Sequence, residues 1–237
     1  YVDMISSIHE KFPDVHLQAF TAVEIAHFAE ISGMSIYETL KKLKDAGLGS
    51  LPGGGAEVFS TDVRKELCPE KLSGDEWLNT MRTAHNLGMR SNATMLYGHI
   101  EKNEDRVNHL LKLRELQDET GGFMSFIPLA FHPKNTDLKD FSSTAGILDL
   151  KMLAIGRLML DNFDHIKAFW IMLGIKLAQI SLSFGVDDID GTVAEEKITH
   201  SAGAETPEAL TVDEIKSLIE ETGREPVERD TLYNQVN

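Results

Sequence analysis

Short apolar runs alternate with amphipathic helices along nearly the whole chain, and this alternation constrains the fold more than any other feature. The runs are apolar on both faces, and their starts are mostly separated by about 30–45 residues. Strands buried on both faces are typical of parallel sheets with crossover helices. The predicted strands are 15–20, 48–53, 91–99, 123–131, 167–173 and 185–192.

Helical periodicity and capping residues predict the connecting helices. Apolar residues at positions 2, 5, 8 and 12 place one helix at the start of the chain. Ser35 with Glu38 and Ser73 with Glu76 have the spacing of capping boxes, so a helix is expected to begin after each serine. The predicted helices are 1–12, 22–32, 35–47, 73–88, 104–122, 144–162, 174–184 and 211–223.

Repeated strand–helix units without a hairpin favour a (β/α) barrel over an open sheet. The predicted fold class is therefore α/β, with a TIM-like barrel. A complete barrel needs about 250 residues, and this chain opens inside a helix without an initiator methionine. We expect the first one or two β/α units to be missing. Residues 1–203 would form a partial barrel, the C-terminal two-thirds of a catalytic domain, and 204–237 a helix and tail packed on it.

The charge balance argues against several classes of partner. The 237 residues carry 38 acidic and 23 basic side chains, a formal net charge of -15. So acidic a surface argues against non-specific binding to nucleic acid or to an anionic membrane. No apolar run approaches the roughly 20 residues of a membrane span. Cys68 is the single cysteine, which excludes an internal disulfide and fits a reducing compartment. We expect a cytoplasmic protein.

Chemistry in such barrels is built from the loops at the carboxyl ends of the strands. In this chain those loops carry acids, two histidines and a run of three glycines. If the strand assignment holds, they converge on one face. The residues concerned are Thr21 and Glu24; Pro52, Gly53, Gly54, Gly55 and Glu57; Tyr97, Gly98, His99 and Glu101; His132 and Asn135; and Asp187, Asp188 and Asp190.

Each of these features has a structural as well as a functional interpretation. Gly53–Gly55 fit a turn that needs positive φ, with Glu57 as a solvated acid near a helix start. Alternatively, the bare backbone approaches a ligand while Glu57 binds its hydroxyls or amine. His99 alone is more often a packed or capping histidine. His132 precedes a proline, which holds its backbone extended and its side chain aimed.

Several multi-residue stretches occur in the order found in one enzyme family. They are AFTAVEI, SLPGGGAEVF followed by VRKELCPEK, TMLYGHIEKNEDRVNHL, IPLAFHPKNT, HSAGA and GREPVERDTLYN. In these stretches the chain resembles the radical S-adenosylmethionine (SAM) enzymes of menaquinone and deazaflavin biosynthesis. The first stretch, HSAGA and PVERDTLYN are most similar to the synthase branch of the futalosine route. The likeness runs nearly end to end.

The resemblance implies a barrel that holds a 4Fe-4S cluster on three cysteines of a CxxxCxxC loop after the first strand. The remaining site on the iron binds the amino and carboxylate groups of SAM. This chain has no such motif, and Cys68 lies elsewhere. The cysteine ligands are expected to lie outside this chain, which alone is then expected to be inactive.

The resemblance also implies a reaction. SAM is cleaved reductively, and the 5'-deoxyadenosyl radical adds to the enolpyruvyl double bond of 3-[(1-carboxyvinyl)oxy]benzoate. Aryl migration and loss of the carboxylate as bicarbonate follow. The implied partners are this aromatic enolpyruvyl ether, a reductase or flavodoxin as electron donor, and a second copy of the enzyme if it is a homo-oligomer. Neither nucleic acid nor a membrane is implied.

The family's residue roles carry over to matching positions of this sequence. Glu57 would face the ribose or amino group of SAM, Arg64 would meet its carboxylate with two hydrogen bonds, and Ile100 would pack on adenine. The expected SAM-binding residues are Gly54, Gly55, Glu57, Arg64, Gly98, Ile100, Glu101, Phe126, Ile127 and Pro128, the last three through backbone groups that meet adenine. The expected contacts to the substrate carboxylates are Thr21, His99, His132 and Asn135, with His99 and His132 also expected to be catalytic. No metal ligands are expected.

Three other interpretations stay open. Within the family, the chain also fits a dehypoxanthine futalosine cyclase or the deazaflavin-forming enzyme. Outside the family, His99, His132 and Asp190 would be ligands of a divalent-metal hydrolase barrel. The third interpretation is a barrel remnant that only binds a partner.

Overall fold

The structure, a computed structural model, describes residues 1–193, 197–202, 206–207 and 209–236. Its centre is a parallel sheet whose strands lie side by side in the order of the sequence. The strands are β1 (Ser50–Leu51), β2 (Arg90–Tyr97), β3 (Phe123–Ala130) and β4 (His165–Ile166).

Two isolated parallel bridges extend this sheet by one segment on each side. Gln18 pairs with Ser50, and Lys167 pairs with Asp188. Six segments therefore follow one another in chain order, and the pairings that join them are parallel. Doubly wound open sheets reverse their strand order at one point, whereas barrel strands keep it. This is the strand order that the sequence pattern predicts.

Helices connect the strands and cover the outer face of the sheet. They are α1 (Val2–Lys11), α2 (Ala22–Ser32), α3 (Ile36–Asp45), α4 (Thr61–Leu67), α5 (Gly74–Asn86), α6 (Asn103–Thr120), α7 (Gly146–Met159), α8 (Trp170–Leu173), α9 (Ile175–Ser181), α10 (Ile198–Ser201) and α11 (Val212–Glu220), with a 3-10 turn at Leu182–Phe184. The capping boxes predicted at Ser35 and Ser73 are confirmed. Among the described residues, no helix has the length and apolar character of a membrane span.

The fifth predicted strand, 167–173, is wrong over most of its length. The strand ends at Ile166, Lys167 makes a single bridge, and Trp170–Leu173 form helix α8. The Trp170 indole N–H donates to the carbonyl of Gly191 at 3.0 Å, which holds the helical turn against the last strand segment. A short apolar run does not distinguish a buried strand from a buried helical turn.

The core lies between the outer face of the sheet and the helices. Tyr97 of β2 donates a hydrogen bond to Asp149 of α7 at 2.8 Å. Phe126 of β3 packs on Gly156 of the same helix, where an added Cβ would lie 3.1 Å from the ring. A glycine at position 156 therefore lets α7 approach the sheet. Because side chains alternate along a strand, the residues between these outward positions face the barrel interior.

The C-terminal tail covers the amino-terminal end of the sheet. Tyr233 stacks on His165, the first residue of β4, with ring centroids 4.0 Å apart. Arg229 Nη2 lies 2.6 Å from Asp188 Oδ2. The predicted boundary between residues 203 and 204 lies outside the described residues. We therefore keep the helix-and-tail unit as a proposal, supported by these contacts.

Two histidines of the helical layer are buried. His85 in α5 directs its ring nitrogens at the hydroxyls of Thr120 (2.7 Å) and Ser91 (2.9 Å). His109 in α6 bonds through Nε2 to the carbonyl of Thr94 at 3.0 Å. Burial lowers the pKa of His85 to about 4 and that of His109 to about 3. Both rings are therefore neutral in the folded chain at neutral pH.

We predict that the free energy of unfolding falls as the pH drops from 6.5 towards 4. In this range the unfolded chain protonates His85 and His109 near their ordinary pKa of 6.5. The folded chain does not, so proton uptake favours unfolding, by up to about 1.4 kcal/mol per pH unit for each ring. Urea denaturation across this range measures the slope. His85→Gln should reduce it, whereas His27→Gln, at an exposed position of α2, should not. Equal slopes in all three proteins would contradict the buried neutral state.

Candidate functional site

The loops after the first two strand segments touch at the carboxyl edge of the sheet. A Cβ on Gly54 would lie 2.8 Å from Thr21 Cγ2. One on Gly55, whose φ is +80°, would lie 2.6 Å from Val23 Cγ2. Glycine at both positions permits this approach. The structure therefore brings the predicted residues Thr21, Gly54 and Gly55 together.

The backbone of the glycine run is fastened to the elements beneath it. The Thr94 hydroxyl of β2 donates to the Gly53 carbonyl at 2.6 Å, and the Trp77 indole N–H of α5 donates to the Gly54 carbonyl at 3.1 Å. A Cβ on Gly53 would lie 2.7 Å from the carbonyl oxygen of Asn92. The loop thus lies directly on β2, which only a bare backbone allows.

Arg64 of α4 holds the same loop from the other side. Its guanidinium, in a residue that is 5% exposed, donates to the carbonyls of Ala56 (2.6 Å), Val58 (3.4 Å) and Gly55 (3.4 Å), and also to that of Leu72. No pair of free donors remains for the carboxylate of SAM. In this geometry Arg64 positions the loop, and its contact with the carboxylate of SAM stays a prediction.

Glu57, which follows the glycine run, has a strained backbone with φ of +43°. Its carboxylate pairs with Lys71 Nζ at 2.9 Å, and its side chain is 16% exposed. Phe20 (φ +61°) and Asp190 (φ +70°) share this rare conformation and also follow strand segments. Such strain costs about 1–3 kcal/mol per residue and clusters at functional sites. Strained backbone thus follows three strand segments, and it also occurs at Tyr233 (φ +66°) in the C-terminal tail.

The loop after β2 is organised by a buried carboxylate. Glu101 accepts the backbone N–H groups of Gly98 (2.6 Å) and His99 (2.8 Å) and the Nε–H of Arg106 (2.7 Å). Its side chain is fully buried. Gly98 has φ of +92°, and a Cβ there would clash with Thr144. Glu101 thus shapes the loop, and its contact with SAM stays a prediction.

His99 is also part of this loop's scaffold. Its ring is fully buried, Nε2 donates to the Leu96 carbonyl at 3.0 Å, and Nδ1 accepts the Ile100 N–H at 2.8 Å. Burial lowers the pKa of His99 against the opposing effect of Glu101. Both ring nitrogens are used internally, so His99 has a structural role in this loop, and its catalytic and carboxylate-binding roles stay predictions.

The other predicted substrate contacts lie nearer the surface. His132 is half-buried and donates through Nε2 to the Met172 carbonyl at 2.9 Å. Asn135 is exposed and donates to the Ser201 carbonyl at 2.8 Å. The Thr21 hydroxyl donates to Glu24 at 2.9 Å in the capping box of α2. His132 and Asn135 thus join the loop after β3 to neighbouring segments.

The residues predicted to meet adenine from β3 face two ways. The Phe126 side chain packs on α7, and its carbonyl accepts the Lys167 N–H at 2.9 Å. Pro128 is buried and lies two residues after Phe126, so it faces the same side of the strand. Ile127, between them, faces the interior and is half-buried. The predicted contacts with adenine use the backbone groups of these residues, so the side-chain directions do not test them and they stay predictions.

Sequence reasoning missed a charged cluster inside the barrel. Lys167 Nζ lies 3.2 Å from Asp190 and 4.0 Å from Asp188, which also pairs with Arg229. Burial opposes ionisation of Asp188, yet Lys167 and Arg229 hold its pKa below the usual value. The sequence signal for this cluster was Lys167, a charged residue at the start of the apolar run 167–173.

The metal-hydrolase interpretation has no support in the described part of the chain. There, no group of three or more His, Cys, Asp or Glu side chains is placed to hold a metal ion. His99 is committed to its own loop, and Asp190 to Lys167. The proposed three-ligand set is not assembled.

A family profile and several curated relatives match this chain. The profile described as "CofH/MqnC C-terminal region" matches residues 120–237. Aminodeoxyfutalosine synthase of Thermus thermophilus is 52% identical over 242 residues, covering 100% of this chain and 64% of the relative. The 5-amino-6-(D-ribitylamino)uracil–L-tyrosine 4-hydroxyphenyl transferase of Methanococcoides burtonii is 42% identical, covering 100% of this chain and 68% of the relative. The chain thus spans about two-thirds of these proteins.

A solved structure shows the same fold. The crystal structure of methylornithine synthase (PylB) matches with a TM-score of 0.66 and 19% identity, covering 96% of this chain and 63% of that one. The fold is that of a partial, radical-SAM-type (β/α) barrel, as predicted. The chain belongs to the family of radical SAM enzymes that contains the aminodeoxyfutalosine synthases and the 4-hydroxyphenyl transferases.

We predict that Arg64→Ala destabilises the chain by about 3 kcal/mol, because it leaves several buried carbonyls without a donor. Chemical denaturation measures the change in the free energy of unfolding. The matched control is Arg82→Ala, whose guanidinium forms a surface ion pair with Glu119 at 2.8 Å and whose loss should cost less than about 1 kcal/mol. Similar losses in both variants would remove Arg64 from the role of loop clamp.

Proposed function

We propose that the complete enzyme is an aminodeoxyfutalosine synthase of menaquinone biosynthesis. It would transfer the 5'-deoxyadenosyl group of SAM to the enolpyruvyl carbon of 3-[(1-carboxyvinyl)oxy]benzoate, with aryl migration and release of bicarbonate. The observation that carries this proposal is identity: 52% to the Thermus synthase against 42% to the Methanococcoides transferase over the whole chain. A synthase of Streptomyces coelicolor is 45% identical over 98% of the chain.

The described residues offer no set of ligands for an iron–sulfur cluster. A 4Fe-4S cluster takes cysteine thiolates, and the chain contains one thiol, Cys68, which is buried. We therefore derive no step through the cluster, and we propose that the 237-residue chain alone is inactive and that a reductase or flavodoxin serves the complete enzyme. For SAM, the proposal is supported by the bare backbone of Gly54 and Gly55, which lies at the carboxyl edge and is held in place by Trp77 and Arg64.

In this proposal the chain's own residues bind and orient the two substrates. Gly54, Gly55 and the Glu57 carboxylate would receive the ribose or amino end of SAM. Gly98 and Ile100, in the loop held by Glu101, would receive adenine. This assignment is supported by the position of both loops at one edge, where the Leu96 N–H donates to the Glu57 carbonyl at 3.0 Å.

The substrate carboxylates are assigned to the outer loops. We assign this role to Thr21, His132 and Asn135, whose side chains are exposed or half-buried. A carbon radical attacks nearby C–H bonds, so the site must fix the substrate and exclude water. The long segment 131–145 suits this task, because Thr144 contacts Gly98 and His132 reaches Met172.

The deazaflavin-forming reaction is the second candidate. It is favoured by the 42% identity to a 4-hydroxyphenyl transferase, of which this chain covers 68%. That relative's name states that it transfers a 4-hydroxyphenyl group from L-tyrosine to a ribitylaminouracil. The same barrel would then hold a different aromatic substrate.

The complete, reconstituted enzyme distinguishes these candidates. We predict that SAM and 3-[(1-carboxyvinyl)oxy]benzoate yield a product with the mass of aminodeoxyfutalosine. L-tyrosine with 5-amino-6-(D-ribitylamino)uracil should yield none. Mass spectrometry of both reactions, with a no-reductant control, makes the measurement. Turnover of the tyrosine pair alone would replace this function with the second candidate.

We predict that His132→Ala in the complete enzyme lowers kcat/KM for the benzoate substrate at least about tenfold, the loss of one charge-assisted contact. Because the ring is half-buried with one hydrogen bond, the melting temperature should change little. Steady-state kinetics and a thermal melt test both points. Wild-type kinetics in the variant would remove His132 from the site.

A further inference from the structure

The inward faces of β2 and β3 carry three aliphatic side chains that remain partly exposed. Leu96, Ile127 and Leu129 are each half-buried, whereas the outward residues Met95 and Tyr97 beside them have no exposed surface. Aliphatic side chains of a core strand are usually among its most buried residues. The described residues therefore leave the aliphatic side chains on this inward face partly uncovered.

The strand register makes these side chains one surface. Leu96 pairs with Leu129, and Thr94 pairs with Ile127. Adjacent strands lie about 4.8 Å apart, so Leu96 and Leu129 are direct neighbours, with Ile127 two residues before Leu129 on the same face. We call Leu96, Ile127 and Leu129 the aliphatic wall. It lies within the last four residues of each strand, close to the carboxyl edge.

Polar groups bound the aliphatic wall on two sides. Towards the amino ends of the strands, Ser125 donates to the Asn92 side chain at 3.0 Å. Towards the rim, the Leu96 N–H donates to the Glu57 carbonyl at 3.0 Å. Small-molecule pockets are usually lined by apolar side chains with a small number of placed polar groups.

We propose that the aliphatic wall is the subsite for the aromatic ring of the substrate, with Leu129 and Leu96 packed on the face of the ring. The inference rests on the proposed function, in which the substrate carries an aryl ring. An aromatic ring gains most from a broad apolar contact, and the wall offers one next to the loop assigned to SAM. The adenosyl and aryl groups then meet at the boundary between Glu57 and Leu96.

The test uses the complete enzyme and measures binding as well as turnover. Leu129→Ala should raise the Kd and KM for 3-[(1-carboxyvinyl)oxy]benzoate at least tenfold and leave the Kd for SAM within twofold. Isothermal titration calorimetry gives both Kd values. Leu158→Ala is the matched control, because this leucine is 78% exposed on the outer face of α7; both constants should stay within twofold.

Two further measurements keep a structural effect apart from a subsite effect. Leu129→Phe fills the same space without opening a cavity, and it should also weaken binding of the benzoate substrate while SAM binding persists. In Leu129→Ala, a substrate with a methyl group on the ring should regain at least fivefold in kcat/KM relative to the unsubstituted one. Equal losses for SAM and benzoate, or no preference for the methylated ring, would overturn the proposal.

Failure of the proposed function gives a different result. If the wild-type enzyme binds and converts only the tyrosine pair, the synthase assignment falls. The same variants then test the aliphatic wall with a hydroxyphenyl ring: a tenfold rise in the KM for tyrosine in Leu129→Ala supports it. An unchanged KM for tyrosine overturns it.

Discussion

The parallel ladder between β2 and β3 is the constraint on which the rest of the structure depends. Its register runs from Ser91 with Phe123 to Tyr97 with Ala130, with an irregularity after Ser91. Because both strands run the same way, their carboxyl ends and the loops that follow come to one edge. The alternation of side chains then sends Tyr97 and Phe126 to the helices and leaves the opposite face to line an interior.

In the loops at that edge, the charged side chains of Arg64 and Glu101 form hydrogen bonds with the loop backbone. Arg64 binds carbonyls of the glycine loop, and Glu101 binds amides of the loop after β2. A radical reaction needs exact placement more than it needs an acid or base from the protein, since the reactive chemistry belongs to the cofactor. Rigid loops that offer backbone and apolar surface meet that need. His99 and Arg64 belong to this scaffold.

Much of the fold could be predicted from the sequence because local signals agreed with it. The capping boxes at Ser35 and Ser73 and the spacing of the apolar runs each report on a few neighbouring residues. The site was less predictable. The partners of Arg64 and His99 are backbone atoms, whose positions depend on the positive φ values at Gly55 and Gly98. The residue types of a loop do not reveal which backbone atoms its side chains will bind. The alternation of side chains along β3, in contrast, predicts that Ile127 faces the interior.

The most direct test of this account is a crystal structure of the complete enzyme with SAM and the benzoate substrate. The account predicts SAM against Gly54, Gly55 and the loop at Gly98, with the aryl ring on Leu96 and Leu129. Electron density for either ligand at the opposite end of the barrel, beside Arg229 and Tyr233, would contradict it.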